Sequence, residues 1–225
     1  MKEVKEDILS NQITLVITSP NSRTLSIINL INELSIKEKY KTILFSLNIS
    51  CNYYLQKLIS FLSGINNRLI TKYFYPHTMF GKYNGDKINR DRFLNSIEEI
   101  QSSNILMNSE KHVVDKDYID YILDYSENDV LIIDDLYAVL DKTKYGLDEI
   151  LTRVKKKQDI HLVLFVKTRC KEKVVRQFAE IITNYIFVDG CNYMEYKDIN
   201  VSFLSKTLKL RLNKMNQIME VNNEE

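Results

Sequence analysis

Three stretches of this sequence gather side chains that could do chemistry. The first is Thr18-Ser19-Pro20-Asn21-Ser22-Arg23-Thr24, which follows an apolar run starting at Ile13 and precedes a helical pattern. A strand, a tight loop, then a basic residue and a threonine opening a helix is the plan of a phosphate-binding loop. There, backbone N–H groups and the helix N-terminus hold phosphates, the basic side chain reaches the terminal phosphates, and the hydroxyl holds Mg²⁺. On that plan Ser19, Pro20, Asn21 and Ser22 form the loop, Arg23 stands in the lysine position, and Thr24 is the metal-binding hydroxyl. The second stretch is Asp134-Asp135 at the end of the apolar run Val130 to Ile133. An aspartate at such a strand end supplies the other contact to the magnesium shell. The third is Phe45-Ser46-Leu47-Asn48-Ile49-Ser50, polar residues that end another apolar run.

The loop departs from its plan in one physical respect. No glycine occurs between Ile13 and Ser63, and the whole chain has five glycines and two prolines. Without glycine the backbone does not easily enter the left-handed turns that point successive amides inward. Arginine is longer, planar and less strongly hydrated than lysine, so it is not a neutral replacement. The same residues also fit an ordinary strand-to-helix turn capped by Ser22 or Asn21.

The elements that must position these residues are legible from hydrophobic period. Ile13 to Thr18, Thr42 to Leu47, Ile105 to Met107, Val130 to Ile133 and His161 to Val166 read as short, nearly all-apolar strands, the pattern of strands buried between two helical layers. Helical patterns run from Leu25 to Leu34, Tyr54 to Leu62, Arg92 to Ile100, Asp117 to Leu123, Leu147 to Val154 and Lys171 to Ile182. Residues 66–90 read as a loop or irregular insertion. Tyr185 to Val188, Ile199 to Leu204 and Leu208 to Leu212 read as closing strands. Alternating strands and helices imply a mainly parallel sheet with helices on both faces, and ligands in such sheets sit beyond the carboxyl ends of the strands. The expected organisation is a short N-terminal extension over 1–12, one α/β domain over 13–215, and a polar tail over 216–225.

Composition excludes several classes. With 44% hydrophobic and 27% charged residues in 225, the chain is globular. Its net charge of +1 excludes a surface that is basic throughout. No apolar run approaches the roughly 20 residues of a membrane span, and Met1 to Ser10 lacks the apolar core of a signal peptide. Cys51, Cys170 and Cys191 are odd in number and widely spaced, which suits thiols in a reducing compartment. The expected location is therefore cytoplasmic, with no membrane partner.

The segment Ile13 to Ile65 resembles the start of the RecA-type motor domain of bacterial replicative helicases of the DnaB type. The most specific match is Phe45-Ser46-Leu47-Asn48-Ile49-Ser50, followed by Leu62-Ser63-Gly64-Ile65, in the order and spacing of that family. Asp91 to Met107, Val130 to Leu140 and Leu162 to Arg169 are similar to its later segments, so the resemblance spans about 13–212. It implies a RecA-like P-loop NTPase fold, and ATP and Mg²⁺ as cofactors, with Thr24 and Asp134 at the metal. It sets Asn48 in the slot of the family's catalytic glutamate and Lys167 near that of its sensor glutamine. An amide positions water but cannot take its proton. Asp135 is the acid that could substitute.

Two readings of function follow. One is a helicase-like module with degenerate nucleotide motifs, no longer hydrolysing, that acts by binding in DNA replication or mobile-element DNA handling. Its partners would be a helicase ring, another replication protein or single-stranded DNA. The other is a divergent but active ATPase using Arg23, Thr24, Asp134 and Asp135. The candidates for DNA contact are two basic runs, Arg153, Lys155, Lys156 and Lys157, and Arg169 and Lys171, because phosphate contacts require only cations.

Overall fold

The computed structural model describes residues 2–19, 22–74, 87–108, 130–142, 146–157, 159–168, 170–178, 182, 184–192, 196–202, 207–213 and 219–221. Pro20, Asn21, Arg169 and the helix expected at Asp117 to Leu123 lie outside them.

The strands are β1 (Ile13–Thr18), β2 (Thr42–Ser46), β3 (Ile105–Asn108), β4 (Val130–Asp134), β5 (His161–Lys167), β6 (Asn184–Asn192), β7 (Tyr196–Ser202), β8 (Thr207–Asn213) and β9 (Met219–Val221). They form one sheet in the order β3-β2-β4-β5-β1-β6-β7-β8-β9. The pairs from β3 through β6 are parallel, and β7, β8 and β9 continue the sheet antiparallel.

Period-2 alternation within each central strand builds two cores. Leu15 and Ile17, Ile43 and Phe45, Leu131 and Ile133, and Leu162 and Leu164 face one side. Val16, Leu44, Val130, Ile132, Val163 and Phe165 face the other. Helices α6 (Leu136–Lys142), α7 (Leu147–Lys156) and α8 (Lys171–Phe178) cover the first face through residues such as Val139, Leu151 and Val174. Helices α1 (Lys2–Ser10), α2 (Arg23–Ile31) and α3 (Cys51–Ser63) cover the second through Ile8, Ile28 and Leu58. The architecture is the α/β sandwich expected, with a mainly parallel sheet.

Three stretches differ from expectation. The stretch before Ile13 holds a docked helix, α1, whose Val4 and Ile8 are buried and whose Asp7 accepts a hydrogen bond from Asn184 at 2.8 Å. Residues 66–90 are not all irregular. Helix α4 (Asn67–Phe74) and the start of α5 (Lys87–Gln101) fall within them, because Ile65 and Ile70 bury against Ile59, with Phe93 and Ile97 packed on the cluster. Within 216–225, Met219–Val221 pairs with β8. No helix among the described residues is long and apolar enough to cross a membrane.

Candidate functional site

β1 and β4 both end at the carboxyl edge of the sheet, with β5 between them. At the end of β1 the chain reaches α2 in only four residues. The Ser22 N–H bonds the Ser19 carbonyl at 3.1 Å, the Ser19 N–H bonds the Val188 carbonyl at 3.0 Å, and the two serine hydroxyls are 2.7 Å apart. These two amides are therefore spent inside the protein. Ser22 is buried but makes no side-chain cap to α2. Its carbonyl instead accepts from both the amide and the hydroxyl of Ser26, at 2.9 Å each. Thr24 is half-buried in the first turn of α2.

Arg23 opens α2 and is 7% exposed. Its Nε stands 3.0 Å from Asp134 Oδ1, and its Nη1 is 2.9 Å from Asp135 Oδ2. Nη1 donates a hydrogen bond to Asp135. The contact to Asp134 Oδ1 lacks hydrogen-bond alignment, so that oxygen is held by Coulomb attraction alone. Asp134 is fully buried. Its register partner on β2 is Ser46, whose Oγ donates to Asp134 Oδ2 at 3.1 Å, and the Tyr54 hydroxyl of α3 donates to the same oxygen. Asp134 thus faces α2 and α3, the side its position in the alternation dictates.

Burial pushes the Asp134 carboxyl above the ordinary carboxylate range. Arg23, Tyr54 and Ser46 pull the other way, and Asp135 adds to the rise. Burial, then the neighbouring Asp134, pushes the Tyr54 phenol far above its ordinary value. Asp135 sits one residue past β4 at φ 65, a left-handed conformation, and also accepts from Asn48 Nδ2 at 2.9 Å. Asn48 is exposed.

The structure therefore brings Ser19, Ser22, Arg23, Asn48, Asp134 and Asp135 into one connected group. Lys167 ends β5 beside them, in register with Thr18, and is exposed. The two carboxylates are the groups able to hold a cation, and the cation they hold is Arg23. Among the described residues no cluster of three or more His, Cys, Asp or Glu is arranged to take a metal. Tyr54 is the residue that sequence reading missed. Tyr54, Leu58 and Phe61 share one helical stripe, and a buried tyrosine needs a hydroxyl partner.

The two basic runs do not meet. Lys167 and the start of α8 lie at the carboxyl edge, whereas Arg153, Lys155, Lys156 and Lys157 close α7 at the opposite edge. There, Gln12 Nε2 bonds the carbonyls of Val154 and Lys157 at 2.9 and 2.8 Å. Arg153 also pairs with Glu149 at 3.1 Å.

No protein-family model matches the chain, and no curated protein matches it in sequence. Solved structures do match in shape. The ATPase domain of one DnaB-like helicase superposes with TM-score 0.67 at 14% identity, over 95% of this chain and 85% of that one. A DnaB-like replicative helicase, described with its interactions with primase, gives 0.68 at 14% over 95% of this chain and 59% of its own length. The flagellar accessory protein FlaH from Methanocaldococcus jannaschii gives 0.59 at 12%, over 98% and 96%. With its parallel core and its carboxyl-edge site, the chain has the RecA-like fold of DnaB-like helicase ATPase domains.

Proposed function

We propose that this chain is a RecA-fold module with a closed nucleotide cleft, which acts by binding, in DNA replication or mobile-element DNA handling, rather than by hydrolysing ATP. The observation that carries the reading is the Arg23 guanidinium held between Asp134 and Asp135. A hydrated Mg²⁺ would need Asp134 Oδ1, the one oxygen of that carboxylate without a hydrogen bond, and a guanidinium already stands 3.0 Å from it. Asp134 Oδ2 is taken by Ser46 and Tyr54. The two ends of the segment that would wrap phosphates are tied together, the Ser22 N–H bonding the Ser19 carbonyl at 3.1 Å. In this arrangement the residues do not fit Mg-ATP. Asn48 supports the same reading, since an amide bonded to Asp135 is not a general base. The partners that suit a DnaB-like fold acting by binding are a helicase ring or another replication protein.

Isothermal titration with Mg-ATP and Mg-ADP tests this, with a dissociation constant of about 0.1 mM or weaker expected. Micromolar affinity, with turnover that Asp135→Asn abolishes, would instead establish a divergent ATPase.

A further inference from the structure

We propose that β7, β8 and β9 carry an apolar sheet face that pairs with the same face of a second copy of this chain. The proposal goes beyond the binding-module reading and does not depend on the state of the cleft.

Register defines the face. Val188 of β6 belongs to the second core, on the side of α1, α2 and α3. It pairs with Val201, and Val201 pairs with Leu208. Ile199 pairs with Leu210, Leu210 with Val221, and Leu212 with Met219. Paired residues share a side of the sheet and alternate residues along a strand return to it, so all of these positions lie on the side of Val188. The other side takes Asp198, Arg211 and Glu220 in one register row, and Asn200 beside Lys209. Opposite charges on neighbouring strands suit a face turned to water. On the apolar side Lys197 is the charged exception, at the first position of β7 and so at the rim.

The topology supplies no helix for this face. A crossover helix lies over the strands that it joins. On the side of Val188, α2 joins β1 to β2, and α3, α4 and α5 join β2 to β3, all of them leading away from β6. Helix α1 rests against β5 and against Asn32–Lys37, the π-helical continuation of α2. The strands from β6 to β9 are joined by the links 193–195, 203–206 and 214–218, too short to hold a helix that covers a sheet. Residues 75–86 join α4 to α5 at the far end of the sheet. A connection from β3 to β4 runs in the same direction as that from β4 to β5, whose α6 and α7 lie on the opposite face, and the right-handed rule sends it there too.

The occupant follows from when the cover is needed. Antiparallel strands with a bare apolar face hold together only marginally in water. Their cover must therefore be present whenever the chain is folded. A replication protein is met only in an assembly, whereas a second copy is always at hand. An apolar face of this kind is also self-complementary, as a two-fold pair requires, and two sheets can pack face to face through it.

Light scattering on the full chain after size exclusion, from about 1 to about 100 μM protein, tests the pairing. The expected mass at the upper end is twice the chain's 26.6 kDa. Leu210→Asp places a charge in the face twice by symmetry and is expected to raise the dimer dissociation constant at least about a hundredfold. Lys209→Ala, on the other side of the same strand, is expected to leave it unchanged. Circular dichroism checks that the variants fold. Should Leu210→Asp unfold, the nearly isosteric Val201→Thr decides, with a rise of about tenfold expected. A wild-type monomer at every concentration would overturn the proposal. So would a folded Leu210→Asp that stays dimeric, a Val201→Thr with the wild-type dissociation constant, or a larger assembly indifferent to both, since each of these places the contact on another surface.

Discussion

Arg23→Ala is the perturbation that interrogates the centre of this molecule. It leaves Asp134, which is fully buried, facing the space where a cation stood. Removing one partner of a buried ion pair costs about 3–5 kcal/mol, because the surviving charge keeps its desolvation penalty. In a chain of this size 1 kcal/mol moves the midpoint by about 2–4 °C, so thermal unfolding should fall by roughly 10 °C. The loss should depend on pH in a definite direction. Burial already raises the Asp134 carboxyl, so the folded state holds that proton more tightly than the unfolded chain does. This group's contribution therefore declines as pH rises from the ordinary carboxylate range through the raised one. Without Arg23 the rise grows, and the deficit of the variant should be larger at pH 8 than at pH 5. The double variant Arg23→Met with Asp134→Asn should recover most of the loss, since a neutral pair carries no stranded charge. Urea unfolding of the wild type, Arg23→Ala and the double variant at both pH values measures these differences. A deficit for Arg23→Ala under about 1 kcal/mol, or one identical at the two pH values, would refute the reasoning.

Two further substitutions probe its surroundings. Tyr54→Phe removes a donor to a buried carboxylate and should cost about 1.5–3 kcal/mol at neutral pH. The Tyr54 phenol is raised in the fold, so its contribution is whole below pH 10 and is lost above it; the variant and the wild type should converge in alkaline unfolding, and parallel curves to pH 11 would contradict this. Lys39→Gly relieves a left-handed lysine and should raise stability by up to about 1 kcal/mol in the same urea assay, whereas a loss would mean that the side chain packs.

What was legible in the sequence is what local pattern encodes. The run Val130-Leu131-Ile132-Ile133 before two aspartates announces a strand delivering acids to a sheet edge, and the turn before Arg23 announces a strand-to-helix junction. Their union was not legible. Arg23 and Asp134 are 111 positions apart, and no pattern within either segment records that β5 lies between their strands or that α2 aims its first side chain across it. The register of β2 on β4, which brings Ser46 to Asp134, is a tertiary fact of the same kind. Helix α1 escaped because its apolar stripe is only Val4 and Ile8 with Leu9 partly buried beside them, in a segment otherwise rich in charge, so its amphipathic signal is short. The basic runs Arg153 to Lys157 and Arg169 with Lys171 read as candidates for the same contact because sequence distance is small there. A helix antiparallel to the strands sends its end to the opposite edge.

The ion pair also sets how strongly a nucleotide would have to bind to be seen at all. A ligand that needs Asp134 must first displace Arg23 from it, and the cost of that displacement, about 3–5 kcal/mol, is subtracted from the binding free energy. That is a factor of roughly 10² to several 10³ in affinity. A cleft that would otherwise hold Mg-ATP with a dissociation constant of about 1 μM would then show one between about 0.1 mM and several mM. Closure of this kind requires no loss of the sheet, of α2 or of either aspartate; it requires only that the cation at the head of α2 be long enough to reach both acids. Arginine is, and its two contacts at 3.0 and 2.9 Å are the span. Lysine, with a single ammonium, would satisfy one carboxylate and leave the other to water or metal. An arginine at position 23 thus holds both acids where a lysine would hold one, and Arg23→Lys should bring nucleotide affinity at least tenfold closer to the micromolar range in titration. Should Arg23→Lys bind Mg-ATP no better than the wild type, the lock would lie in the glycine-free turn from Ser19 to Ser22 and not in the guanidinium.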